Sequence, residues 1–125
     1  MNNGFERPSR TVLVVDDDPD ARFIFRLALE KAGDVVVTAR DGAEAIRLLA
    51  TTLPDVVLMD IMMPRMDGIG ALHAVRSMTR GRVPVIAVTA LASPDDQATV
   101  NAAGFDQVLF KPVFPMEVVD AVDRV

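Results

Sequence analysis

Four carboxylates, one hydroxyl and one ammonium carry most of the chemistry open to this 125-residue chain. Asp16, Asp17 and Asp18 close one short apolar run and Asp60 closes another, while Thr89 and Lys111 each close a further one. Carboxylates brought together repel, and each raises the pKa of the next. A divalent cation relieves that repulsion. Hard oxygen donors without thiol or imidazole favour Mg²⁺ over a transition metal. A carboxylate of the set that the metal does not fully use could act as a nucleophile. The Thr89 hydroxyl and the Lys111 ammonium suit the oxygens of a transferring phosphoryl group. If these side chains meet, they point to phosphoryl chemistry on an aspartate.

Whether they meet depends on the elements that carry them. Short β-branched runs occur at Thr11–Asp16, Val35–Ala39, Asp55–Asp60, Val83–Thr89 and Gln107–Phe110, apolar at nearly every position, as strands covered on both faces are. Helical spacing lies between them. Ala21, Ile24, Phe25, Ala28, Leu29 and Ala32 fall on one helix face between Pro19 and Ala32. Asp18-Pro19 supplies a capping carboxylate and a first-turn proline, and Gly33 follows the last periodic residue. Asp41 to Glu44 and Ser93 to Asp96 each place an acid three residues after a cap, and further helices should start near Asp67 and Phe114. Five strands alternating with five helices predict a doubly wound α/β fold with a parallel sheet and right-handed crossovers. All strand ends then share one edge, where ligands bind. The second strand ends in Ala39-Arg40 with nothing comparable to the others, so it belongs on the outside. The order 2-1-3-4-5 sets the other four tips side by side.

Composition narrows the classes further. One domain accounts for the length, half of the residues are apolar, and no run is long enough to span a bilayer. Without cysteine there is no disulfide frame, thiolate zinc site or cysteine nucleophile. A net charge of −5 is the wrong sign for a domain that grips nucleic acid directly. A cytoplasmic domain with no membrane contact is expected. Residues 1–10 read as a loose tail and 11–125 as the folded unit.

The runs from Val12 to Pro19, from Leu58 to Gly68 and from Val88 to Ala90, with Lys111-Pro112, resemble the response regulator receiver family. The motifs stand in family order over the chain from about Thr11 to its end. The 2-1-3-4-5 order is also that family's flavodoxin-like order, so the two expectations are not independent. The resemblance implies that Asp60 is the phospho-acceptor, that Asp17 is a direct Mg²⁺ ligand with Asp16 holding metal waters, and that the Met62 carbonyl is a further ligand. It makes Thr89 the switch hydroxyl, Lys111 the partner of the phosphoryl oxygens, and Lys111–Pro112 a cis peptide. The implied donor is a phosphohistidine on a sensor histidine kinase or histidine phosphotransfer protein. An unnamed downstream protein reads the result. Such a receiver catalyses only its own phosphorylation and dephosphorylation, and it is either stand-alone, of the chemotaxis type, or part of a longer protein.

Plainer readings hold elsewhere. Asp18 reads as a helix cap, Asp67-Gly68 as a turn and helix start, and His73 as a structural residue without a metal partner. Met59, Met62, Met63 and Met66 read as packing beside a core strand. Arg76, Arg80 and Arg82 read as basic residues favoured near a helix C-terminus. Two rival functions are a pseudo-receiver that keeps the fold without phosphorylation, and a Mg²⁺-dependent aspartyl-phosphate phosphatase. The phosphatase needs a second aspartate two residues after its nucleophile, where Met62 stands. No Lys or Arg occurs between Val83 and Phe110, and Asp95 and Asp96 open the fourth helix, so self-pairing of that face would oppose like charges and a monomer is expected. One position departs from the family. Val108 stands three residues before Lys111, where an aromatic ring is usual, so the switch is expected to act through the 90–93 loop instead.

Overall fold

The computed structural model describes residues 8–61, 68–90 and 93–125. Five strands, β1 (Thr11–Val15), β2 (Val35–Ala39), β3 (Val56–Asp60), β4 (Val85–Thr89) and β5 (Gln107–Phe110), alternate with five helices. The helices are α1 (Pro19–Lys31), α2 (Gly42–Leu49), α3 (Gly68–Thr79), α4 (Pro94–Ala102) and α5 (Pro115–Arg124). All strand pairs are parallel, in the order β2-β1-β3-β4-β5. β3 and β4 are buried at every position and β1 at all but its first, whereas the edge strands β2 and β5 are only partly covered. That is why the central runs are apolar without alternation.

Two cores sandwich the sheet. Val12, Val14, Leu58 and Ile86 pack against Phe25 and Leu29 of α1 and Val118 and Val122 of α5. Leu13, Val15, Val57 and Met59 face the other way, toward Ala45 of α2 and Leu72 and Val75 of α3. A smaller cluster of Ile61, Ala87 and Val100 lies under α4, with Val108 and Phe105 packed against it. Met59 is therefore core packing, as its position beside a strand suggested.

The caps follow the local sequence. Asp18 accepts from Asp20 N at 3.0 Å, Asp41 from Glu44 N at 2.8 Å, and Ser93 from Asp96 N at 3.1 Å. Phe114 cannot cap with its ring, and Glu117 reaches back to its N–H at 3.1 Å instead. Gly33 takes a φ of 103° after α1, a conformation that an L side chain rarely adopts.

Three expectations need correction. Pairing in β4 begins at Val85 rather than Val83, because Pro84 has no N–H to give the ladder. Ile24 does not join the core face of α1. It is 45 % exposed and lines a groove of about 530 Å³ with Leu27, Ala28, Met116 and Val119. The tail does not extend to Arg10, since the Ser9 hydroxyl donates to Gly33 O and Arg10 Nη1 to Val122 O, at 2.9 and 3.0 Å. Residues 1–7 lie outside the described residues. Arg76 stands in the last turn of α3, and its guanidinium has partners further along the chain as well. It donates to Val83 O, Gly104 O and Asp106, tying the loops that precede β4 and β5.

Leu58 is 1 % exposed at the centre of the sheet. Leu58→Ala should lower the unfolding free energy by about 2–5 kcal/mol, read as a shifted denaturant midpoint at unchanged slope. A loss below about 1 kcal/mol would show that the site repacks and that this core is not tightly filled.

Candidate functional site

The tips of β1, β3, β4 and β5 converge at the C-terminal edge of the sheet. Asp60 is the last residue of β3 and pairs in register with Val88, which puts Thr89 one step further along the neighbouring strand. Thr89 in turn pairs with Phe110, and Lys111 N donates to Thr89 O at 2.7 Å. Parallel register alone thus brings the Asp60 carboxylate, the Thr89 hydroxyl and the lysine to the tips of three adjacent strands. The Lys111–Pro112 peptide is cis, as the family resemblance implied.

Asp16 follows β1 directly. Its N–H continues the ladder to Ala39 O at 3.1 Å, and one carboxylate oxygen accepts from Asp18 N at 2.9 Å. Its side chain is held under the edge rather than in solvent, and Asp16 is only 1 % exposed. Asp17 is exposed. Carboxylate oxygens of Asp16, Asp17 and Asp60 lie within 4.8 Å of one another, a spacing one cation can bridge. The hard oxygen chemistry of this set fits Mg²⁺.

Lys111 is the counterweight. Its Nζ stands 3.2 Å from Asp60 Oδ2 and 3.9 Å from Asp16 Oδ2. Burial lowers the pKa of this ammonium, but the carboxylates of Asp60 and Asp16 and the hydrogen bond to Asp60 outweigh that, so it is held above its ordinary value. Asp16 moves for the opposite reason. Burial pushes its carboxyl up to about 6, with Asp60 and Asp17 adding to the rise and the Asp18 N–H and Lys111 opposing it.

The sequence-predicted set is largely assembled: Asp16, Asp17, Asp60, Thr89 and Lys111 share one edge. Met62, expected to offer a carbonyl, lies outside the described residues, as do Met63, Met66, Asp67 and, in the 90–93 loop, Leu91 and Ala92. The Asp18 side chain caps α1, and its N–H is the donor to Asp16. His73 is exposed on α3. Val108 faces Ile61, Ala87 and Val100. The sequence reading passed over Arg22, whose Nη1 donates to Asp16 O at 2.7 Å. The available signal was its place one helical turn after Asp18, on the element that starts at the acidic run.

Comparison with known proteins agrees with this geometry. The family model described as response regulator receiver domain matches residues 12–123. An uncharacterised 14.6 kDa protein of Leptolyngbya boryana is 40% identical over 114 residues, covering 90% of this chain and 87% of that one. The transcriptional regulatory protein PrrA of Mycobacterium leprae is 41% identical over 122 residues, covering 98% of this chain. The chain spans 51% of PrrA's length. Among solved structures, the Vibrio cholerae chemotaxis protein CheY4 aligns with a TM-score of 0.85 and 32% identity, covering 94% of this chain and 99% of that one. The receiver domain of the Pseudomonas aeruginosa sensor histidine kinase PA1611, with magnesium coordinated in its active-site cleft, aligns with a TM-score of 0.83. It shares 31% identity, covering 94% of this chain and 97% of that one.

The raised Asp16 carboxyl has a consequence for stability. A carboxyl that binds its proton more tightly in the fold than in the unfolded chain favours the fold while protonated. That contribution is complete below the unfolded value of 3.8 and gone above about 6. In EDTA, the stability of the native chain relative to Asp16→Asn should therefore fall by roughly 2 kcal/mol between about pH 4 and pH 7. Saturating Mg²⁺ replaces the proton, so its stabilising effect should grow through the same window. A difference between the two proteins that stays flat with pH would sink this account.

Proposed function

The chain belongs to the response regulator receiver family, and on that footing we propose that it is a phospho-accepting switch in a two-component phosphorelay. Asp60 accepts the phosphoryl group from a phosphohistidine. The observation that carries this reading is the 3.2 Å approach of Lys111 Nζ to Asp60 Oδ2, beside carboxylates of Asp16 and Asp17 close enough to share a cation.

The chemistry assigned to these residues is an in-line displacement. A carboxylate oxygen of Asp60 attacks phosphorus, the histidine N–P bond breaks, an acyl phosphate forms, and the imidazole leaves with its electron pair. Asp16, Asp17 and Asp60, with the Met62 carbonyl, would hold Mg²⁺, which when bound neutralises charge on the phosphoryl oxygens. Lys111 pairs with those oxygens once they sit on Asp60, and the Thr89 hydroxyl donates to one of them. The added charge then favours a second conformation that a downstream protein distinguishes, because phosphate shifts an equilibrium only by interacting differently with its two states. Catalysis is confined to the chain's own phosphorylation and dephosphorylation, in the cytoplasm. The absence of basic residues from Val83 to Phe110 supports a monomer.

Geometry also supports a surface for the donor. The α1–α5 groove exposes Ile24, Leu27 and Met116, and Ile24 also lines a cleft with Asp18, Lys111 and Pro112. The apolar face therefore runs directly into the acceptor site. Its occupant in this reading is a helical phosphohistidine protein presenting an apolar ridge.

Incubation with a small-molecule acyl phosphate and Mg²⁺ should add one phosphoryl group, detected by intact mass, and Asp60→Asn should abolish it. Lys111→Ala should keep Mg²⁺ affinity within about tenfold, since an ammonium is no metal ligand, yet lose the phosphorylation-dependent change in structure. Ile24→Glu with Leu27→Glu should leave labelling by the small donor intact and slow transfer from a histidine phosphotransfer protein at least about tenfold, a loss of the size expected when an interface anchor is removed. Labelling that persists in Asp60→Asn, or steady turnover of p-nitrophenyl phosphate, would overturn the reading.

A further inference from the structure

We propose that Arg22 is a positioning residue for the cation site, setting the peptide between Asp16 and Asp17 so that both carboxylates face the same ion. The proposal rests on the reading of Asp16, Asp17 and Asp60 as a Mg²⁺ site.

The chain changes course between the last residue of β1, Val15, and the first of α1, Pro19. Asp16 is held at three points across that bend: its N–H on Ala39 O, its carboxylate by Asp18 N, and its carbonyl by Arg22 Nη1. The carbonyl belongs to the peptide that leads into Asp17. Since that unit is planar, fixing its oxygen also fixes the direction of the Asp17 N–H and the start of that residue. Asp17 is exposed, so burial does not set its direction. The guanidinium bond supplies what packing does not. At 2.7 Å and partly buried, it is a short charge-assisted bond rather than a loose surface contact.

Arg22 does this without competing for the acceptor. It lines the flank of α1 that faces β2, in a cleft with Pro19, Phe23, Arg26 and Thr38. Lys111 approaches across the opposite flank, with Ala21, Ile24 and Phe25. One cation therefore orients the metal-side backbone while the other stays with Asp60. A residue that orients metal ligands from outside the coordination shell affects affinity by about 10- to 100-fold when removed.

Titration calorimetry with MgCl₂ on the full chain tests this. Arg22→Met keeps the aliphatic stem and removes the donor, and should weaken Mg²⁺ binding by about tenfold or more. Arg22→Lys, which restores a charged donor, should recover affinity to within about threefold. Arg26→Met, on the same flank but paired with Glu30, should leave it unchanged. The metal-free melting point of Arg22→Met should stay near that of the native chain, since a general loss of structure would move both. If the Met variant does not fold, Arg22→Gln takes its place with the same tenfold expectation. A folded variant that binds Mg²⁺ within about twofold of the native chain would refute the role of Arg22. A native chain that binds no Mg²⁺ would instead remove the site beneath it.

Discussion

Two buried carboxylates on adjacent strands set the terms for this molecule. Asp16 and Asp60 are 1 % and 4 % exposed, and a third acid, Asp17, stands within bridging distance. Charges so placed destabilise a fold unless something answers them. Lys111 answers part, by direct contact with Asp60 and a longer approach to Asp16, and a proton or a cation answers the rest. The surrounding architecture is what allows the conflict to be built in. β1 and β3 are among the most buried strands, and the two cores that cover them leave little room for their tips to move apart. The destabilisation is concentrated at one edge of the sheet.

Which parts of this were legible follows from how locally each is encoded. The strands could be read because runs such as Val56–Met59 are apolar at consecutive positions, a pattern that a half-exposed helix does not produce. Strand order placed the acids together because only the second strand ended without a reactive side chain. Asp18 was correctly read as a cap, since the chemistry of a helix start lies within two residues of it.

The misses share a cause: each depended on a partner far along the chain or on a tertiary surface. Arg10 is joined to Val122 and Asp34, and Arg76 to Gly104 and Asp106, pairings that no window of neighbouring residues contains. Ile24 obeyed helical periodicity yet lies on the groove, because α5 packs close enough to α1 to cover Phe25 and Leu29 but not the next position around the helix. Arg22 was close in sequence but acts on a backbone oxygen, and side-chain patterns are silent about those.

The same distinction bears on how the site can communicate with the rest of the fold. α4 has a single buried side chain among its described residues, Val100, and that residue sits in the smallest of the three apolar clusters. The cluster's other members are tied to the site by sequence: Ile61 follows Asp60, and Ala87 lies two residues before Thr89 on the same strand. Val108 closes it from β5, three residues ahead of Lys111. Among the described residues, these few side chains are the packing that links the Asp60 and Thr89 tips to α4. Valine has one χ angle and little rotational freedom, so at position 108 it can shift only with its strand and cannot swing independently as a ring could. Phe110, two residues on and 40 % exposed, lies outside this cluster. Among the described residues the strand tips and α4 thus meet through a packed apolar contact, which Val108 closes with a side chain of a single χ angle.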